Sequence, residues 1–165
     1  MIEYTNILFC TDFSEDAHIA FHHALDLASR YSAKLHIVHV AHSSYRYARH
    51  IVDDYLPEGS GASESFYGED IEKKALEALK LAYTDKLGSF KNCVFVVRSG
   101  APDVEILQYA KKSGIDLIVM GAMGKSEEDR LVHGSTVANV SRYAHCHVMA
   151  VRNPAKQFTL PGSMY

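Results

Sequence analysis

The sequence predicts a single α/β domain built on an open, mainly parallel five-stranded sheet with helices on both faces. Two observations carry this. Short apolar runs alternate with segments of helical spacing along nearly the whole 165-residue chain, the pattern of a parallel sheet with crossover helices. The runs are also apolar without interruption, as in Ile7-Leu8-Phe9-Cys10 and Leu117-Ile118-Val119-Met120, which suits strands covered on both sides.

The elements follow in order. Residues 5–10 form the first strand, ended by Thr11-Asp12-Phe13-Ser14. Ser14 is an N-cap with Glu15 and Asp16 in the first turn, and Ala17, Ala20, Phe21, Ala24, Leu25 and Ala28 repeat at helical spacing, which predicts a helix over 15–30. Lys34–Val40 is a second strand, after which the pattern dissolves over 41–68 into an irregular insert containing Pro57, Gly59, Gly61 and several aromatics. A helix from Glu69 to Lys86 rests on Ile71, Ala75, Leu76, Leu79 and Ala82 and ends near Gly88. Cys93–Val97 is a third strand, Gly100 a turn, and Pro102–Ser113 a helix closed by Gly114. Leu117–Met120 is a fourth strand, Val137–Tyr143 a helix and His147–Val151 a fifth strand. The division expected is a domain over 1–152 and a tail over 153–165.

Composition excludes several classes. A net charge of −3 with scattered Lys and Arg gives no general attraction for nucleic acid. No apolar run approaches a membrane span and no leader precedes the first strand, so a cytoplasmic protein is expected. Cys10, Cys93 and Cys146 are odd in number and distant in sequence, and are read as reduced thiols.

The chemistry concentrates between Gly121 and Thr136, Gly-Ala-Met-Gly-Lys-Ser-Glu-Glu-Asp-Arg-Leu-Val-His-Gly-Ser-Thr. This is a strand, a glycine loop and a helix start. Gly121 and Gly124 permit positive φ and close backbone approach, so amides can converge on an anion, and Gly134, Ser135 and Thr136 open a helix whose N-terminus favours phosphate. A P-loop is excluded because Val119 stands where its first glycine belongs, and Gly-x-Gly-x-x-Gly occurs nowhere. The plainer alternative is a turn glycine, a loop glycine and a Ser cap.

Ligands of such sheets bind beyond the carboxyl ends of strands where strand order reverses. If the first and fourth strands are neighbours, Asp12 faces the glycine loop across one crevice. An acid there suits a sugar hydroxyl or a bridging Mg²⁺; its alternative task is an Asx turn that starts the first helix.

On Thr11-Asp12-Phe13-Ser14, the His39-Val40 strand end and Gly121-x2-Gly124-x9-Gly134-Ser135, the chain resembles the universal stress protein family in its nucleotide-binding branch, from Thr5 to Arg152. The resemblance implies a Rossmann-like, adenine-nucleotide alpha-hydrolase-like fold that binds ATP or AMP, with Mg²⁺ as an optional companion held through Asp12. It implies that Thr11 and Asp12 lie against the adenosine, that the Val40 backbone recognises adenine, and that Met120 and Gly121 line the ribose and phosphate path. Gly124, Lys125, Gly134, Ser135 and Thr136 would hold the phosphates. It further implies a homodimer through the last strand, 147–152, and a regulatory role with protein partners the sequence does not name. Met123 stands where many relatives carry a basic or imidazole side chain, a loss Lys125 can offset, and Glu127-Glu128-Asp129 lies within the loop.

Other constellations are weaker. His36, His39 and His42 stand three apart, so strand alternation sends neighbours in the set to opposite faces, and the adjacent pair His145 and His147 around Cys146 seldom closes a metal site. No Ser-His-Asp or paired-carboxylate pattern stands out, and His133 is the one titratable group expected near bound phosphate. The alternatives to a binding module are therefore a slow ATP hydrolase or phosphotransferase and a ligand-free dimeric scaffold.

Overall fold

A computed structural model describes residues 1–41, 69–123 and 136–155. The insert expected over 41–68, apart from Ala41, and most of the expected tail lie outside these residues, as do Gly124, Lys125, Glu127, Glu128, Asp129, His133, Gly134 and Ser135. The described residues form β1 (Asn6–Thr11), α1 (Glu15–Tyr31), β2 (Lys34–Ala41), α2 (Glu69–Tyr83), a short 3₁₀ turn (Asp85–Leu87), β3 (Cys93–Ser99), α3 (Pro102–Lys112), β4 (Leu117–Gly121), α4 (Thr136–Tyr143) and β5 (His147–Val151). All five strands are parallel in the order β3-β2-β1-β4-β5. The chain therefore winds outward from β1 through β2 to β3 and returns to the other side of β1. Strand order reverses between β1 and β4.

Strand alternation distributes two cores. Ile7, Phe9, Leu35, Ile37, Leu117 and Val119 pack under α1 and α2, where Phe21, Leu79 and Tyr83 meet them. Leu8, Cys10, Val38, Val40, Ile118 and Met120 face α3 and α4 through Ile106, Ala110 and Val140. Ile7, Leu8 and Phe9 are fully buried, each contributing about 1.5–3 kcal/mol by burial. Burial also pushes the Cys10 thiol far above its ordinary pKa, so it acts as a small hydrophobe.

Element boundaries moved by local causes. The Ser14 side chain caps α1 by accepting from the Ala17 amide at 3.2 Å. The helix expected to run to Lys86 stops at Tyr83 and tightens into the 3₁₀ turn before Gly88, whose φ is +57°. Ala41, expected in the insert, belongs to β2, and β3 runs on through Arg98 and Ser99 because Ala41 pairs with Ser99 and its carbonyl accepts from the Gly100 amide. His36 and His39 lie on opposite faces as alternation requires: His36 Nδ1 meets the Tyr109 hydroxyl at 2.8 Å on the α3 side, whereas the His39 ring packs tilted against Phe13.

At the amino end of the sheet, Asp116 Oδ2 accepts from the Thr5 amide and hydroxyl, both at 2.7 Å, and from the Asn6 amide at 2.8 Å. Partial burial pushes this carboxyl up, but the three hydrogen bonds outweigh it and hold its pKa below the ordinary value. A depressed carboxylate contributes stability that is present above its unfolded pKa and lost as pH falls through the folded one. Asp116→Ala is expected to cost about 1–3 kcal/mol at pH 7. In urea unfolding, the gap between variant and parent should narrow as pH is lowered through the acid range; an undiminished gap at pH 2 would show that the carboxylate charge is not what ties β1 to β4.

Candidate functional site

The strand order reverses between β1 and β4, so a crevice is expected beyond their carboxyl ends, and its floor is set by how the chain leaves each strand. Beyond Thr11 the Asp12 side chain accepts from the Ser14 amide at 3.0 Å through Oδ1, forming an Asx turn. Phe13 takes φ +61°, the left-handed region that a bulky residue enters only when its surroundings hold it there. Its ring is buried between His39, at 4.6 Å, and Tyr83, and its amide donates to Thr11 Oγ1 at 3.0 Å. Asp12 remains exposed at the lip of the crevice. It thus has the structural task that was its alternative reading, in a place where a ligand can still reach it.

Thr11 differs from expectation. It lies on the α1–α2 face, with its hydroxyl 2.6 Å from the Tyr83 hydroxyl, which in turn meets His18 Nδ1 at 3.1 Å. Its carbonyl accepts from His39 Nδ1 at 2.7 Å. The side chain is buried and committed to the fold, so it does not present a hydroxyl to the crevice.

Gly121 also serves a different purpose from the one its sequence context suggests. It is not among the described glycines with positive φ, which are Gly88, Gly100 and Gly114. A Cβ at 121 would lie 2.8 Å from the Ala17 amide nitrogen and 2.9 Å from the Asp16 carbonyl carbon. The glycine is required because the end of β4 presses against the first turn of α1. Just beyond it, the Met123 amide donates to Asp16 Oδ2 at 3.2 Å, and Ser14 Oγ donates to the Met123 carbonyl at 3.4 Å. The start of the glycine loop is thereby fastened to the start of α1, and the backbone of Met123 faces this anchor. Asp16, fully buried, was read from sequence only as an acid complementing the helix dipole.

Val40 lies near the carboxyl end of β2. Backbone groups of a parallel strand alternate sides: the Lys34 amide bonds to Thr5 on the β1 side, and the Ala41 carbonyl to Gly100 on the β3 side. The Val40 carbonyl therefore points toward β1, one residue beyond the last β1–β2 pair, Thr11 with His39. The Phe13 amide that would continue the ladder to it is bonded to Thr11 Oγ1 instead. The end of β1 thus turns away and leaves an acceptor facing the crevice. Met120 is buried on the α3–α4 face, and Thr136 is the half-buried first residue of α4. Asp12, Val40, Met120, Gly121 and Thr136 accordingly belong to the carboxyl end of the sheet and the helix that follows it. Among the described residues, no group of three or more His, Cys, Asp and Glu is arranged to hold a metal ion.

An open parallel sheet whose strand order reverses between β1 and β4 places the molecule in the doubly wound α/β class. A sequence model of the universal stress protein family matches residues 3–152. The chain belongs to that family. A universal stress protein of Methanocaldococcus jannaschii is 28% identical over 156 residues, covering 93% of this chain and 85% of that relative. The solved structure of the universal stress protein UspA from Lactobacillus plantarum aligns with a TM-score of 0.67 at 30% identity, over 92% of this chain and 100% of that one. A universal stress protein from Archaeoglobus fulgidus, solved in complex with dAMP, shares the fold at 18% identity with a TM-score of 0.57, over 92% of this chain and 99% of that one.

Two measurements check the anchoring of the crevice. Gly121→Ala sets a methyl against backbone atoms that cannot yield like a side chain, so a loss of about 1–3 kcal/mol in urea unfolding is expected; parental stability would show that β4 and α1 have room to part. His39 is held neutral, its pKa lowered to about 4 by burial against the opposing pull of the Thr11 carbonyl and Asp12. The unfolded chain binds the extra proton first, so this contribution is complete above about pH 6.5, is lost as pH falls toward 4, and amounts to at most about 3 kcal/mol. His39→Gln should flatten that part of the stability–pH curve, and an unchanged slope would remove His39 as its source.

Proposed function

We propose that this chain is an adenine-nucleotide-binding regulatory module that takes ATP or AMP in the crevice between β1 and β4. The observation that carries the reading is the Val40 carbonyl, directed at the crevice beside Asp12 because β1 breaks its ladder at Phe13. A carbonyl accepts from the exocyclic amino group of adenine and opposes the carbonyl of guanine at the same position. Asp12, exposed one step away, suits the ribose hydroxyls or a Mg²⁺ shared with phosphate. The fastening of Met123 to Asp16 and Ser14 fixes where the chain leaves β4 for the glycine loop, whose sequence Gly124-Lys125 and Gly134-Ser135-Thr136 suits phosphate. The dAMP complex of the Archaeoglobus fulgidus relative supports an adenine nucleotide as the ligand class.

The same reading takes residues 1–152 as the working domain and β5 as the contact between two copies. β5 ends the sheet and bears half-buried Val148 and Met149, an apolar edge suited to pairing. No helix among the described residues is long and apolar enough to cross a membrane, and we place the module in the cytoplasm. Slow hydrolysis through His133 would be a side activity of a site whose geometry is organised for holding.

Calorimetry on nucleotide-stripped protein is the direct test. AMP or ATP–Mg²⁺ should bind at micromolar affinity, on the order of 8 kcal/mol, with GMP at least about tenfold weaker and with Gly124→Val abolishing the heat. Equal affinity for AMP and GMP would refute the Val40 assignment, and no binding of either adenine nucleotide would leave a dimeric scaffold.

A further inference from the structure

The sequence positions matched to the family give no role to the far end of the crevice, where β3 outruns the reach expected for it. The extra residues of β3 are Arg98 and Ser99, and Arg98 is the register partner of Val40. Alternation places Arg98 with Val94 and Val96 on the α3–α4 side of the sheet, the same side as Val40 and Met120. The step along the sheet that follows the Thr11–His39 pair thus runs from Asp12 to Val40 to Arg98. Neighbouring strands lie about 4.8 Å apart, which sets Arg98 about 10 Å from Asp12 and about 14 Å from β4. It is therefore remote from β4 and stands beside Val40 on the next strand, across β2 from the side its carbonyl faces, so that only the long Arg98 side chain can reach a base held there.

The Arg98 guanidinium is also held in place. Its Nε donates to Glu105 Oε2 at 3.1 Å, with the two side chains 47% and 16% exposed. Glu105 is fixed in the first turn of α3, and Gly100 is pressed so closely on it that a Cβ there would sit 3.0 Å from Oε1. The more buried carboxylate is the anchor and the more exposed guanidinium is presented outward. An Arg engaged through Nε keeps its Nη groups as donors in a fixed plane, and the group has no acceptor at all.

Resting on the nucleotide reading of the crevice, we propose that Arg98 is a specificity-determining residue for the base, donating from Nη to a ring nitrogen of adenine while the Val40 carbonyl accepts from the exocyclic amino group. Adenine offers a donor and an acceptor side by side along its edge. Val40 and Arg98 are the matching acceptor and donor on adjacent strands. Glu105 is a positioning residue that sets the plane of the guanidinium. Ribose and phosphate lie toward Asp12 and the glycine loop, beyond the reach of Arg98, so its contribution belongs to the base alone.

The experiment is a titration of AMP and of ribose 5-phosphate into the full-length parent, Arg98→Ala, Glu105→Gln and Gly124→Val, with melting of the ligand-free variants to confirm that each is folded. The expected result is a loss of about tenfold for AMP with Arg98→Ala, the scale of one hydrogen bond to a charged donor, and no change for ribose 5-phosphate. Glu105→Gln should give a smaller loss in the same direction, again for AMP only. An Arg98→Ala protein that binds AMP within twofold of the parent, or that loses AMP and ribose 5-phosphate in equal proportion, overturns the proposal while leaving the crevice reading intact, provided Gly124→Val still abolishes binding. A parent that binds no AMP removes the crevice reading and this proposal together.

Discussion

The contact on which the remainder of the crevice depends is the one between the end of β4 and the first turn of α1. A single missing Cβ at Gly121 lets two backbones approach to a distance no side chain permits. Asp16 and Ser14 then bind the amide and carbonyl of Met123. These are backbone-directed bonds, so they fix the course of the chain leaving β4 without reference to the side chain at 123. Ser14 serves twice, capping α1 through Ala17 and holding Met123. The helix start and the loop start are consequently one rigid unit, and a buried carboxylate in that unit is tolerable because it meets a backbone donor.

On the other side of the crevice the governing feature is the turn at Phe13. Its left-handed backbone is paid for by a buried ring packed between His39 and Tyr83, and its amide is redirected to Thr11 Oγ1. Tyr83 closes a network that begins on α2 and ends on β1, through Thr11 on one side and His18 on the other. Residues far from the crevice in sequence thus decide that β1 stops where it does. Because β1 stops, the backbone of β2 is left facing the opening.

The strands and helices were legible because their evidence is local. Unbroken apolar runs, helical spacing, Ser14 as a cap and glycines near 88 and 114 each act within a few residues. The adjacency of β1 and β4, on which the expected site rests, holds in the structure. What escaped were facts of adjacency. Gly121 reads as a flexible loop glycine until α1 is seen resting on it, and Asp16 reads as a dipole partner until Met123 is seen at its oxygen. Thr11 was assigned to the ligand through a motif position, yet side-chain alternation puts it on the face of Phe9, away from Met120. That alternation was available in the sequence and would have separated Thr11 from Asp12. Arg98 gave no signal, because the length of β3 depends on pairing with Ala41 rather than on its own composition.

The strand order has a consequence for synthesis. β1 is the central strand, yet one of its two neighbours, β4, ends only at residue 121. A chain emerging amino-terminus first can assemble β1, β2 and β3 with α1 and α2 on one face, but the other edge of β1 stays open until nearly three-quarters of the 165 residues have been made, about 5–30 s at ordinary elongation rates. During that interval the nascent chain carries an apolar edge, Ile7 to Cys10, with every ladder group on that side unpaired. The junction between β1 and β4 is thus also the last central seam of the sheet to close, and the molecule is most open to wrong pairing at the place where its strand order reverses.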